Sequence, residues 1–274
     1  SLIAKLLCKT FIFKDCDTLL KSPHLEQILS EARVIYDGNT SSSYRHNLNR
    51  EYKDLRMTFI ICGTSVLRAL DSSELGARFL TCSIMDGIDD DLESNILHRI
   101  AIRTMKNMGH LSNGKAESRR DEDISRAMQL TGGYVCYLRQ NAAKLLDQVE
   151  TDQKDIERII ELGTFVAHVR ARPSKTQDEL VDRELGGRLV SQLLRLAVCT
   201  AAVMNKTSVD EEVMRRVMKI GMDTSKGRTL ELVSYVHSRT SQGAELNDMA
   251  AKLMEDQPKT KTLLNFLGRI KVVE

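Results

Sequence analysis

From Asp89 to about residue 222, apolar residues recur three and four positions apart almost without interruption. This spacing places them on one face of successive α-helices, and several of the segments begin at residues that can cap a helix. The pattern therefore predicts an all-helical domain over residues 89–222. Two polar stretches within it, residues 109–120 and 172–183, are predicted to be loops.

The first 88 residues have a different pattern. Two segments, "FIFKDCD" (residues 11–17) and "MTFIICGTS" (residues 57–65), begin with aromatic and β-branched residues that do not alternate with polar ones. Such runs are typical of parallel strands covered on both faces. Residues 22–38 between them have helical spacing and end at a glycine. The order strand, helix, strand predicts a parallel βαβ unit, and residues 1–88 are predicted to be an α/β domain.

Residues 223–274 are predicted to form a third unit. Helical segments are predicted at residues 228–239 and 244–253 and from residue 257 onward, and the sequence ends in an apolar, strand-like run. Helix, turn, helix, turn, helix and then the start of a hairpin is the order of a winged helix-turn-helix. The predicted fold class is therefore α/β plus all-α, with a partial winged helix at the end.

Composition limits the possible partners and compartments. The formal net charge of +2 over 274 residues indicates no strongly polyanionic partner for the chain as a whole, so only local basic patches argue for nucleic acid. The six cysteines lack metal-ligand spacing and no signal-like segment precedes them, which favours a cytoplasmic or otherwise intracellular, reducing compartment. No apolar run approaches the roughly 20 residues that span a membrane.

Asp15 and Asp17 directly follow the first predicted strand. In parallel sheets, ligands bind beyond the carboxyl ends of the strands, and acids at that edge often hold a metal or position a water molecule. Aspartate also caps helices and forms turns, so either residue has a structural explanation too.

The succession of "FIFKDCD", "MTFIICGTS", "SSELGARF" (residues 72–79) and "RELGGRLVSQLLRLA" (residues 183–197) resembles AAA+ ATPases. The nearest members are minichromosome-maintenance-like helicases and replication helicases of phages or mobile elements. The resemblance covers nearly the whole chain and implies a partial P-loop NTPase sheet, a helical lid and a partial winged helix. It also implies ATP and Mg²⁺ as cofactors, single-stranded DNA in a central pore, and a homo-oligomer, a hexameric ring.

The resemblance implies roles for individual residues near the strand ends. Asp15, and after it Asp17, look like the Walker B acids that bind Mg²⁺ and polarise the attacking water. Lys14 occupies a place where the family usually has an acid, so the division of roles between the two aspartates stays open. Thr64, with Ser65 behind it, is similar to the sensor 1 position near the γ-phosphate. The alternative is that residues 63–65 only turn the chain.

Two arginines also match family positions. Arg78 looks like the arginine finger, which reaches the nucleotide of a neighbouring subunit and neutralises charge on the transferring phosphoryl group. The alternative is a surface ion pair with Glu74, four residues earlier. Arg188 resembles the sensor 2 arginine at the start of a lid helix, where the guanidinium and the helix N-terminus both face phosphate. Arg183 is a weaker candidate, and an exposed charge near a helix start is the alternative.

The sequence contains no GxxxxGK[ST] phosphate-binding loop. In the family this loop precedes the Walker B strand. The opening residues "SLIAKLL" have no initiator methionine, so we expect the sequence to be a piece of a longer protein. We also expect this piece not to hydrolyse ATP by itself.

Two basic regions are candidates for nucleic-acid binding. Arg45, Arg50 and Lys53 lie near two tyrosines between the predicted strands, where related helicases carry an insertion that reaches single-stranded DNA. A solvated loop explains this region nearly as well. Lys259, Lys261 and Arg269 flank the predicted recognition helix, which fits contact with phosphates, but the apolar run "LLNFL" shows only that one face of this helix packs inward.

The sequence therefore predicts a fragment of an ATP-dependent DNA-translocating motor, a replicative-type helicase. The alternative is a DNA-binding or assembly module with a degenerate ATPase core. A transcription regulator or protein-remodelling ATPase of the same class would need a σ-factor loop or a protease-docking motif, and neither pattern occurs in the sequence.

Overall fold

The structure is a computed structural model. It describes residues 9–14, 16, 18, 22–36, 38, 40–44, 48–52, 57–64, 79–84, 90–108, 115–171, 186–239, 243–269 and 271–272. The strands among these residues are β1 (Thr10–Phe13), β2 (Thr40–Tyr44), β3 (Leu48–Tyr52) and β4 (Thr58–Ile61).

Helices account for most of the described residues. They are α1 (Leu25–Tyr36), α2 (Asp90–Asn107), α3 (Lys115–Asp147), α4 (Gln153–Arg170), α5 (Gly186–Val203), α6 (Glu211–Ser225), α7 (Arg228–Ser238), α8 (Leu246–Leu253) and α9 (Gln257–Arg269). Within the described part of the chain, no helix has both the length and the apolar character needed to span a membrane.

The strands form two separate sheets of two strands each. β1 pairs with β4 in parallel, from Thr10 opposite Thr58 to Phe13 opposite Ile61. β2 and β3 pair with each other as an antiparallel hairpin. The predicted α/β fold with a P-loop NTPase sheet is therefore wrong for the described residues, because their only parallel sheet consists of β1 and β4.

The exposure of β1 and β4 gives the physical reason for this correction. The ring of Phe11 contacts that of Phe13 in a tilted arrangement and that of Phe59 edge to face, at ring-centroid distances of 5.8 and 6.0 Å, and these rings are half-buried. Ile12 and Ile60 point to the other face and are 54% and 45% exposed. An apolar run indicates a strand buried on both faces only if another layer covers each face, and here one face of the pair is open.

Two further predictions are wrong for described residues. The predicted loop at residues 109–120 is helical from Lys115 onward, where α3 begins. After α9, Lys271 and Val272 form a turn and a bend, and Lys271 has a φ of 57°. The strand-like end predicted after α9 is therefore not seen at these two residues, and the described residues of the partial winged helix predicted for residues 223–274 form helices but no strand.

The chain divides into two compact units by its contacts. Unit 1 contains residues 1–81, 157–193 and 220–274, and unit 2 contains residues 82–156 and 194–219. In unit 1, α4 and α5 approach closely at Gly163, where an added Cβ would lie 3.1 Å from the backbone nitrogen of Val190. The buried side chains beside this contact include Ile159, Leu189 and Leu193.

In unit 2, a charged cluster lies before α6 and in its first turn. The Nζ atom of Lys206 donates hydrogen bonds to Asp210 Oδ2 at 2.5 Å and to Glu212 Oε2 at 2.7 Å. Asp210 Oδ1 also accepts the backbone N–H of Val213 at 3.0 Å, which caps α6. The hydrogen bonds from Lys206 hold the pKa of Asp210 and of Glu212 below their usual range, and those to Asp210 and Glu212 raise the pKa of Lys206.

This cluster predicts a pH dependence of stability. A carboxyl whose pKa is lowered by folding stabilises the protein above its unfolded-state pKa, near 4, and this contribution is lost as the pH falls through the lower folded-state pKa. We therefore expect Asp210→Asn, which keeps a capping oxygen, to lower the midpoint of thermal unfolding at pH 7 and to change it less in acid. Circular dichroism at both pH values measures this difference. Lys206→Met should show the same trend, and an equal effect at both pH values would contradict the assignment.

Candidate nucleic-acid interface

Helices α7, α8 and α9 form a three-helix unit around an apolar core to which Ala171, directly after α4, also contributes. Leu232 of α7, Met249 and Leu253 of α8, and Phe266 and Leu267 of α9 are buried together in it. Because Phe266 and Leu267 point into this core, the side of α9 that faces outward is fixed by packing.

The turn between α8 and α9 occupies residues 254–256. Met254 takes a left-handed conformation, with φ 51° and ψ 42°, and its side chain extends into solvent. Residues other than glycine seldom adopt this conformation, and it ends α8 sharply. The backbone N–H groups of Met254 and Glu255 donate to the carbonyls of Ala251 and Ala250 at 3.2 and 3.0 Å.

Ion pairs and a hydrogen bond hold this turn in place. The Glu255 carboxylate pairs with Arg228 at the start of α7 and with Lys259 of α9, the latter at 3.3 Å. Lys259 also lies 3.3 Å from Asp256. Gln257, the first residue of α9, donates from its side chain to Asn247 of α8 at 2.5 Å. The direction in which α9 leaves the turn is therefore set by contacts at both sides.

The outward face of α9 is polar and basic. Lys261, Asn265 and Arg269 are exposed and follow one another at intervals of four residues, so they lie on one side of the helix. Thr260, Phe266 and Leu267 are buried. Helix α9 contains no acidic residue. No described carboxylate forms an ion pair with Lys261 or Arg269, whereas the charge of Lys259 is compensated by Glu255 and Asp256.

The predicted nucleotide site falls largely outside the described residues. Asp15, Asp17, Ser65 and Arg78 all lie outside them. Their roles in catalysis, in metal binding and in phosphate contact stay predictions. Among the described residues there is no group of three or more histidine, cysteine, aspartate or glutamate side chains that could hold a metal ion.

The described backbone does place the ends of β1 and β4 side by side. Beyond the strands, the N–H of Cys62 donates to the carbonyl of Phe13 at 2.8 Å, and the N–H of Cys16 donates to the carbonyl of Cys62 at 2.9 Å. Thr64, the predicted sensor 1 residue, follows β4 and is exposed. The two segments on which the sequence places nucleotide chemistry are thus neighbours at one end of a parallel strand pair.

Arg188 lies in the first turn of α5 and is exposed. A pocket of about 350 Å³ beside this turn is lined by Thr164 and His168 of α4 and by Gly186 and Gly187 of α5. Nδ1 of His168 lies 2.7 Å from the carbonyl of Thr164. The predicted contact of Arg188 with phosphate stays a prediction.

The predicted pore insertion lies in the region of the β2–β3 hairpin. Arg45 and Lys53 are outside the described residues, and Arg50 belongs to β3, where only the backbone is described. The sequence pattern indicated an insertion in this polar stretch and gave no sign of the strands β2 and β3. It also missed Asn265, which the four-residue spacing with Lys261 and Arg269 could have indicated.

The sequence matches no model of a known protein family, and no curated protein of similar sequence was found.

Proposed function

We propose that this chain binds DNA and that the outward face of α9 is a contact surface. The observation that carries the proposal is the row of Lys261, Asn265 and Arg269 on a helix without acidic residues. Nucleic-acid affinity comes largely from cations that neutralise phosphates, and polar side chains beside them supply hydrogen bonds. A local cationic face allows this even though the net charge of the chain is only +2.

The double variant Lys261→Ala/Arg269→Ala tests this proposal. We expect it to bind DNA about 10-fold more weakly, and its plot of log affinity against log salt concentration to be shallower by about 2, since each lost phosphate contact removes about one unit of slope. Fluorescence anisotropy with single-stranded and duplex DNA, at several salt concentrations, provides both values.

A matched control is available in unit 2. Arg139→Ala/Lys144→Ala removes the same two charges from exposed positions of α3 and should leave the affinity nearly unchanged. Lys259→Ala should also have a small effect, because this lysine is already paired with two carboxylates. Equal losses in the α9 and α3 variants would mean that net charge, and not this surface, decides the binding.

The second candidate function is an ATP-dependent motor that translocates DNA, of the replicative helicase type. It is supported by the neighbouring ends of β1 and β4 and by the β2–β3 hairpin between them in the chain. In this proposal ATP and Mg²⁺ are the cofactors, Asp15 and Asp17 hold the metal, and the chain acts as a homo-oligomeric, hexameric ring around single-stranded DNA. The compartment in this proposal is intracellular and reducing.

The two candidates differ in their need for ATP. The 274 residues contain no GxxxxGK[ST] loop, so the motor proposal requires a longer polypeptide that supplies one. ATP turnover by such a polypeptide is the test, and Arg78 is the residue whose substitution separates a motor from a binding module.

A further inference from the structure

Helix α9 offers different contacts to duplex DNA and to single-stranded DNA. Single strands are bound mainly by a cationic groove with aromatic side chains on which the bases stack. The outward face of α9 has no aromatic residue, because Phe266, the one aromatic residue in the helix, is 5% exposed and belongs to the core. The stacking contribution on which single-strand binding depends is therefore missing from this face.

The side chains on this face suit the base edges of a duplex. The major groove is wide enough for an α-helix, and there lysine or arginine pairs with guanine while asparagine pairs with adenine through two hydrogen bonds. Lys261 and Asn265 are exposed and four residues apart, so both point to the same side. Thr262 lies next to them and is exposed as well.

The contacts of the turn before α9 hold the helix in a fixed orientation before it binds. Met254 fixes the backbone direction, Glu255 pairs with Arg228 and Lys259, and Gln257 bonds to Asn247. Side chains and turns that are already ordered lose less conformational entropy on binding. Glu255 and Asp256, the acidic residues directly before α9 in the chain, are paired with Lys259, which weakens their repulsion of phosphate.

We propose that α9 enters the major groove of duplex DNA, with Lys261 and Asn265 at the base edges and Arg269 at a backbone phosphate. This inference rests on the proposed DNA binding and adds the class of partner and the role of each residue. Its base-reading residues, Lys261 and Asn265, lie in the middle of α9, whereas Arg269 is its last residue.

The test compares a random duplex pool of about two helical turns with a single-stranded pool of the same length. With the whole 274-residue chain, we expect the duplex pool to bind about 10-fold more tightly. Selection from the duplex pool should enrich a motif with adenine at a fixed position. Asn265→Ala should abolish that adenine preference, at a cost of about 10-fold in affinity for the selected site. Arg269→Ala should weaken all duplexes equally.

The outcomes separate this inference from the proposed function. Binding to neither pool would overturn both. Equal or tighter binding of the single-stranded pool would overturn the duplex inference and leave DNA binding intact. Duplex binding with no enriched motif, or a motif that Asn265→Ala leaves unchanged, would overturn the assignment of Asn265 to a base edge. Circular dichroism of each variant checks that α9 remains folded.

Discussion

Arg78→Ala is expected to slow ATP hydrolysis by about 10³-fold or more in a longer polypeptide that joins this chain to a phosphate-binding loop. The expectation follows from the resemblance of "SSELGARF" to the arginine-finger segment, since Arg78 itself lies outside the described residues. A finger stabilises charge that develops in the transition state, so nucleotide binding should change little. Steady-state hydrolysis and nucleotide titration measure the two effects separately.

Glu74→Ala is the matched control for Arg78→Ala. If the two residues only form a surface ion pair, each substitution should cost less than about 1 kcal/mol of stability and leave turnover nearly normal. If Arg78 acts across a subunit boundary, Glu74→Ala should hydrolyse ATP normally. A mixture of Arg78→Ala and Asp15→Asn subunits should recover part of the activity. This activity would come from interfaces at which Asp15 of an Arg78→Ala subunit faces Arg78 of an Asp15→Asn subunit. Normal hydrolysis by Arg78→Ala would end the finger assignment.

Leu267→Ala is expected to lower the free energy of unfolding by about 2–5 kcal/mol, the usual cost of removing a large apolar side chain from a packed core. Leu267 is fully buried among Leu232, Met249 and Leu253 in the three-helix unit. Its loss removes apolar burial and leaves a cavity under α9. Urea unfolding followed by circular dichroism measures the change.

The same substitution at an exposed site provides the control. Leu130 of α3 is 66% exposed, and Leu130→Ala should change stability by less than about 0.5 kcal/mol. We also expect Leu267→Ala, and not Leu130→Ala, to weaken DNA binding, because the outward face of α9 depends on the core behind it. Equal stability losses in the two variants would contradict the packing described for the three-helix unit.

The helices of the three-helix unit could be located from the sequence almost to the residue. The predicted segments at residues 228–239 and 244–253 and from residue 257 correspond to α7, α8 and α9. Apolar spacing marks the buried faces, and Pro258 fits the first turn of a helix. Likewise, Gly38, predicted to stop the first helix, lies just beyond α1 with a φ of 87°. These signals depend only on residues close together in the chain, so they can be recognised without knowledge of the tertiary contacts.

The β2–β3 hairpin was harder to predict, because its strands are stabilised by pairing with each other and not by a local sequence signal. The β2–β3 hairpin joins a stretch of serines to a polar segment, with Thr40 opposite Tyr52 and Tyr44 opposite Leu48. Strand propensity depends on cross-strand neighbours, so a polar sequence gives little local sign of pairing. For β1 and β4 the sequence identified the strands and their parallel pairing, but wrongly inferred that both faces of a wider sheet were covered.

At the candidate site, too, local sequence patterns located the helix, and tertiary contacts decided which of its side chains are available. By itself, the sequence determined that a basic, amphipathic helix begins near residue 257 and that Lys259, Lys261 and Arg269 belong to it. Only the tertiary structure decided that Lys259 is paired with Glu255 and Asp256 while Lys261 and Arg269 face outward with Asn265. Helical periodicity reflects contacts between residues three and four apart, whereas the pairing of Glu255 with Arg228 joins residues distant in the chain. Such contacts form only when packed helices bring the groups together, because the entropy of closing the intervening chain must first be offset by burial of the shared core.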